Sequence, residues 1–321
     1  MSDWSTVRPY FGELMELLDD PAVSEVYVTS GTRVFYERHG QAGHQAADIE
    51  ADPDLLMRGL VRLAREQGGD VHHDRAPILD ASMPDGSRIA AIVGPASPGG
   101  MTVTIRKFAP VDLTLTDIAD QGVMDVAMAG KLERAVEGRK NVLVSGGTGS
   151  GKTTLANALC KSIPTSQRVV VIEDTQELKI DHPNQVRLKT LAEVNGVRAV
   201  TATDLLKAVL RHKPSRILLG EVRGGEAWDL LQLLNTGHAG TVCTLHADSA
   251  RRAMSRFETC VLMSGVELPH RAVQMAIGDS IEVVVHINVS TGPSNEVVRK
   301  VEAVRVDGFE VETSAYRFRE L

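Results

Sequence analysis

The rhythm of apolar and polar positions changes near residue 140. Before that point short β-rich runs dominate. SEVYVT and RVFYE lie within Val23–Glu37 and are split by Ser30-Gly31-Thr32, which predicts a hairpin. Ile78-Leu79 and Arg88–Val93 flank Pro84-Asp85-Gly86, a strong turn signal. A glycine and proline cluster over Gly94–Gly100 then precedes a further strand-like run, MTVTIRKF. Two helical patterns accompany these runs. One covers residues 4–19 around Phe11, Leu14, Met15 and Leu18 and is stopped by Asp20-Pro21. The other, Pro53–Gln67, is amphipathic and ends near Gly68-Gly69. The first part of the chain therefore reads as a small α+β domain on antiparallel strands. Phe108–Asp117, FAPVDLTLTD, reads as a linker, and a helix follows to about Glu137.

From Asn141 onward strands alternate with helices, which predicts a mostly parallel sheet with crossovers. Asn141–Val144 runs straight into a glycine-rich loop. Arg168–Ile172 ends in Glu173-Asp174, Arg216–Leu219 in Gly220-Glu221, and Thr241–Leu245 in His246. In an open parallel sheet the C-terminal strand ends line the ligand crevice, so these polar groups are expected on one edge. Helices are expected over Ser249–Met263 and from about Pro269 to Ile277. Strands are expected over Ile281–Val289 and Glu296–Val306, split near Thr291-Gly292-Pro293, with a last β-run at Tyr316–Phe318.

The loop after Asn141–Val144 carries the most specific chemistry. Gly146-Gly147-Thr148-Gly149-Ser150-Gly151-Lys152-Thr153 fits the P-loop pattern, with Thr154 and a helix-forming stretch behind it. Glycines let consecutive backbone N–H groups curl around phosphate oxygens, and the following helix aims its positive end at the same anion. Lys152 is placed to reach the outer phosphates, and the Thr153 hydroxyl to ligand Mg²⁺. Hydrolysis also needs an ordered water and neutralisation of phosphoryl charge. Glu221 is the candidate to activate the water or hold the metal through it, although a glycine precedes it in Ile217-Leu218-Leu219-Gly220-Glu221. Glu173, Asp174 and Glu177 form an acidic cluster suited to Mg²⁺ and its waters, with Glu173 and Glu177 favoured. Of His238 and His246, which flank one strand, His246 ends it and is the candidate to sense the γ-phosphate. Arg88, Arg106, Arg211 and Arg223 are candidate charge neutralisers, since a guanidinium fork suits phosphate.

Composition narrows the partners. With 43% hydrophobic and 24% charged residues the chain reads as an ordinary globular protein. A net charge of −7 and only 4% aromatics argue against direct nucleic-acid binding. Cys160, Cys243 and Cys260 are too dispersed for a disulfide framework or a zinc cluster. MSDWSTVRPYF lacks a basic region followed by an apolar one, so no signal peptide is expected. No apolar run approaches a membrane span, and a cytoplasmic enzyme able to dock on a membrane complex is expected.

IEDTQEL, together with LRHKPSRILLGEVRGGEAWDLLQLLNTGHAGTVCTLHAD, resembles the type II/type IV secretion ATPases. The motif order matches as well: P-loop (Gly146–Thr153), Asp box (Glu173–Glu177), Walker B (Ile217–Glu221) and His box (Gly237–His246). The resemblance is strongest over Met101–Phe257 and closest to the TrbB-like conjugal transfer ATPases; the three cysteines cannot supply the four-cysteine zinc module usual in the type II branch. Ser215 departs from the family, which often has Asp after the proline. The resemblance implies an α/β fold: a RecA-like P-loop NTPase domain over 121–321, a linker over 108–120, and a smaller N-terminal α+β, PAS-like domain over 1–107. It implies ATP and Mg²⁺ as cofactors and a homo-hexameric ring. Arg88 and Arg106 would reach the phosphates from the N-terminal domain. The implied partners are inner-membrane components of a secretion or conjugation apparatus, with the motor cytoplasmic and peripheral at that membrane. Rival readings are a type IV pilus assembly or retraction ATPase, a RecA-type nucleic-acid motor, and a nucleotide-dependent scaffold without turnover.

Overall fold

The computed structural model describes residues 4–108, 112–191, 193 and 198–321. It divides into two compact units. The first gathers residues 1–110, 193–198 and 291–297, and the second takes 111–192, 199–290 and 298–321.

The first unit begins with α1 (Trp4–Val7), a 3-10 turn (Arg8–Phe11) and α2 (Leu14–Asp19). A single helix over 4–19 is thus corrected to two short ones. Pro9 sits in the 3-10 turn and Gly12 follows at φ +50°, a combination that no continuous α-helix accommodates. Strands β1 (Val23–Thr29) and β2 (Arg33–Arg38) form the expected antiparallel hairpin, turning through Ser30 and Gly31 at positive φ. β3 (Gln45–Glu50) has no counterpart in the sequence reading; it is a polar edge strand paired with β2. Helix α3 (Pro53–Glu66) starts where the Asp52 carboxylate accepts from the N–H groups of Asp54 and Leu55 at 2.9 and 3.0 Å. β4 (Ile78–Ser82), β5 (Arg88–Ile92) and β6 (Thr102–Arg106) complete a six-stranded sheet in the order β3-β2-β1-β6-β5-β4. Its core joins Val26, Val28, Ile89 and Ile105 to Leu56, Leu60 and Leu63 of α3.

In the second unit, α4 (Leu115–Asp120) begins on a reciprocal cap between Thr114 and Asp117, and α5 (Val126–Glu137) follows. The linker over 108–120 lies partly outside the described residues, at 109–111, and its last turn and a half is α4. One helix to Glu137 is corrected to two, separated at Gly122, whose φ is +72°. The remaining elements are β7 (Val142–Gly146), α6 (Lys152–Cys160), β8 (Val169–Glu173), β9 (Gln185–Lys189), α7 (Ala202–Val209), β10 (Arg216–Val222), α8 (Glu226–Asn235), β11 (Val242–His246), α9 (Ala250–Leu262), α10 (His270–Ser280), β12 (Val283–Thr291), β13 (Val297–Glu310) and β14 (Ala315–Glu320).

The sheet runs β14-β13-β12-β7-β11-β10-β8-β9, and the pairs from β12 to β9 are parallel. Val142 and Val144 of β7 face one apolar cluster, with Leu132, Leu155 and Leu159. Leu143 faces the other, with Leu230, Phe257 and Ile277. Strands apolar on both faces are what a parallel sheet covered by helices on both sides requires. This arrangement presents the C-terminal ends of β7, β8, β10 and β11 on one edge, β7 and β11 in direct register at Gly146 and His246.

Candidate active site

Residues 147–151 join β7 to α6 as a tight loop. Gly149 (φ +68°) and Gly151 (φ +101°) adopt backbone that L side chains resist. A Cβ on Gly146 would lie 2.6 Å from Ser150 Oγ and 2.8 Å from the Ile287 carbonyl, so only glycine fits there. A Cβ on Gly147 or Gly149 would meet nothing within 4 Å, which leaves that side of the loop open. Within the loop the buried Ser150 hydroxyl has no hydrogen-bond partner. An open glycine loop, an orphaned donor and the start of α6 suit an anion such as a triphosphate.

Lys152, 8% exposed, donates to the Gly147 carbonyl at 2.6 Å and to His246 Nδ1 at 3.3 Å. With Nδ1 accepting, the imidazole proton sits on Nε2. That nitrogen lies 3.3 Å from Glu221 Oε1. The second Glu221 oxygen accepts from Arg223 at 2.8 Å, and Arg223 donates to Asp174 at 2.6 Å. The Glu221 contact holds the Arg223 guanidinium above its ordinary pKa. A chain of polar contacts thus runs Lys152–His246–Glu221–Arg223–Asp174, linking the loop after β7 to β11, β10 and the end of β8. A register shift in β10 between Leu219 and Val222 bends the strand at Glu221, and Thr244 pins the bend by donating to the Gly220 carbonyl at 2.6 Å.

The Thr153 hydroxyl donates to Glu177 Oε2 at 3.0 Å. A hydroxyl and a carboxylate side by side, beside a phosphate cradle, form an oxygen donor set suited to Mg²⁺, which takes few protein ligands when phosphates and water supply the rest. Glu173 is used differently. It is 3% exposed; one oxygen accepts from the N–H groups of Glu177 and Leu178 at 2.9 and 2.7 Å, and the other from Arg187 at 3.1 Å. Its contacts clasp the loop that carries Glu177. The side chain crosses β10 at Gly220, where a Cβ would come within 2.8 Å of Glu173 Cγ. The glycine ahead of Glu221 is therefore a packing requirement.

Burial raises the Glu173 carboxyl above its ordinary 4.5, against the pull of its three donors. A raised folded-state value for an acid means stability is present at low pH and is lost as pH rises through and beyond the ordinary carboxylate range. Glu173→Gln lacks that slope. Thermal denaturation across pH 4–8 is expected to show the wild-type advantage over this variant shrinking as pH rises; a constant difference refutes the assignment.

Two contacts at the loop carry no local signal in the sequence. Ser145 Oγ meets His286 Nδ1 of β12 at 2.9 Å, and burial lowers the pKa of that histidine. Arg299 of β13 donates through Nε to the Ser150 carbonyl at 3.0 Å. His238 instead contacts Thr236 in the turn after α8, and Arg211 lies in an exposed 3-10 turn. Ser215 is bonded through its backbone to Arg168 and Arg139. In the first unit Arg88 and Arg106 are direct cross-strand partners on β5 and β6, paired with Asp80 (3.1 Å) and Glu25 (3.7 Å) respectively.

A family model described as "Type II/IV secretion system protein" matches residues 11–308. The chain belongs to that family. This secretion ATPase is 36% identical over 316 residues to the type IV secretion system protein VirB11 of Brucella suis, covering 88% of this chain and 86% of that protein. It is 34% identical over 300 residues to the conjugal transfer protein TrbB of Rhizobium radiobacter, covering 92% and 88%. The fold is shared with the Legionella pneumophila ATPase DotB (TM-score 0.62, 17% identity, 94% of this chain and 81% of that one). It is also shared with the pilus retraction motor PilT (TM-score 0.60, 16% identity, 91% and 82%). The secretion ATPase thus has an α/β fold of RecA-like P-loop type with an N-terminal domain and is a nucleotide-binding hydrolase of the type IV secretion class. Among the described residues no helix is long and apolar enough to cross a membrane.

Proposed function

We propose that this secretion ATPase is a hexameric motor of a conjugative type IV secretion system, powering pilus assembly or transfer of DNA and protein. It would work on the cytoplasmic side, peripheral to the inner membrane and docked on membrane components of the apparatus. The observation that carries the hydrolytic part is the polar chain from Lys152 to Asp174, in which His246 bridges a lysine and an acid beside a P-loop. The conjugative part rests on the TrbB relative, which aligns with nearly the whole chain.

In this reading the N–H groups of Gly147–Thr154 and the Lys152 ammonium hold the β- and γ-phosphates. Glu221 orients the attacking water and takes its proton, while His246 passes the state of the γ-phosphate between Lys152 and Glu221. Thr153 and Glu177 hold Mg²⁺, which when bound neutralises phosphoryl charge. Glu173 positions Glu177. Arg88 and Arg106, two like charges side by side, supply cations for the phosphates.

Purified protein is expected to release phosphate from ATP only with Mg²⁺, and light scattering with ATP is expected to give a hexamer mass. A monomer in every nucleotide state rejects the ring, and absent phosphate release rejects the motor. Deleting the gene should abolish conjugal transfer, restored by wild type and not by Lys152→Ala; undiminished transfer rejects the conjugative assignment.

A further inference from the structure

The P-loop is gripped from one side by two strands to which the sequence pattern assigns no part in the site. β12 and β13 are adjacent in the sheet and joined by residues 292–296. From β12, the Ile287 carbonyl and side chain fill the space beside Gly146, and Ile287 Cδ1 would lie 3.6 Å from a Cβ on Gly151. From β13, Arg299 Nε would lie 3.7 Å from that same Cβ, and it donates to the carbonyl of Ser150 at 3.0 Å. The two strands therefore touch both ends of the loop.

Arg299 is unusual for a half-buried arginine. No carboxylate pairs with it among the described residues, and burial alone accounts for the fall in its pKa. Arg216, which is fully buried, spends its donors on Gln167 and the carbonyls of Gly240 and Glu137. Arg299 spends one donor on a single carbonyl of the loop and keeps the guanidinium's outer donors. A partly desolvated cation without a counter-ion costs stability and gains it back when an anion arrives.

We propose that Arg299 is a positioning residue of the nucleotide site. Its Nε–H fixes the carbonyl of Ser150, so that Gly151 holds its left-handed backbone and the next N–H groups point into the cradle. Its charge, with no acid paired to it among the described residues, raises the affinity of the cradle for the polyphosphate of a nucleoside di- or triphosphate. The inference rests on the P-loop reading above and adds to it a residue from the far end of the chain.

The test uses the full-length protein and ADP, with ADP affinity by calorimetry and KM and kcat for ATP by phosphate release. Losing a hydrogen bond to a charged group should weaken ADP binding and raise KM by about tenfold in Arg299→Ala, with a smaller effect on kcat. Arg299→Lys, which keeps the charge and a donor, should recover most of that loss. Wild-type ADP affinity should fall more steeply with added salt than that of Arg299→Gln, a response that a purely structural role would not produce. Thermal unfolding without nucleotide checks that the variants fold. Unchanged ADP affinity and KM in folded Arg299→Ala, or a loss that Lys fails to recover and salt fails to modulate, overturns the proposal while the P-loop assignment stands. Wild-type protein that binds no ADP overturns both.

Discussion

Lys152→Ala is expected to lose ATP turnover by about a thousandfold or more, the scale seen when a preorganised group facing transition-state charge is removed. The lysine sits at the first position of α6, and it is buried. Its ammonium donates to a loop carbonyl and to an imidazole nitrogen, both neutral acceptors. The γ-phosphoryl group gathers negative charge on its outer oxygens as the bond breaks, and a fixed cation in a water-poor site is worth far more there than in solution. Alanine also removes the donor that sets the His246 tautomer, so the Glu221 end of the polar chain loses its order as well. Single-turnover phosphate release, with circular dichroism to verify folding, is the measurement. A folded alanine variant with normal turnover would remove the P-loop assignment and everything built on it.

Much of this site is legible in the chain because its signals are local. A buried apolar run followed by glycines and Gly-Lys-Thr specifies strand, loop and helix within fifteen residues or so, and the same logic puts Glu221 and His246 at strand ends. The chain is less readable where partners are distant. Ser145 and His286 are separated by 141 positions, Ser150 and Arg299 by 149, and no periodicity announces such pairs. β3 is hard to read because only Ala47 and Ile49 of this edge strand turn to the core, too short an alternation to stand out among polar neighbours. The bend in β10 is equally silent: Gly220 reads as a departure from the Walker B pattern until Glu173 is seen lying across it. Glu173 itself shows the limit of residue type as evidence. An acid at a strand end suits a metal shell, yet here its oxygens accept from Glu177, Leu178 and Arg187. The breaks at Gly122 and Gly12 do not show in the sequence because apolar spacing continues across both, while a single positive φ decides the helix.

Glu221→Gln separates binding from hydrolysis. The substitution keeps side-chain size but removes the charge and one of the two acceptor oxygens, and neither touches the phosphate cradle, so ATP affinity should stay close to wild type while kcat falls by about a hundredfold or more, the usual worth of a positioned general base. The surroundings favour this split. Glu221 is held between His246 Nε2 at 3.3 Å and Arg223 at 2.8 Å, neither of which belongs to the phosphate cradle itself. Arg223 keeps Asp174 as a partner when the carboxylate is gone, so the loop after β10 need not collapse. Stopped-flow binding of a fluorescent ATP analogue, set beside steady-state phosphate release, reads the two effects separately. Arg223→Ala gives the contrast: it loosens Glu221 without removing its base, so its kcat should lie between wild type and Glu221→Gln. If Glu221→Gln turns over ATP at the wild-type rate, the water is ordered by another group, and Glu177, 3.0 Å from the Thr153 hydroxyl, becomes the acid to replace next.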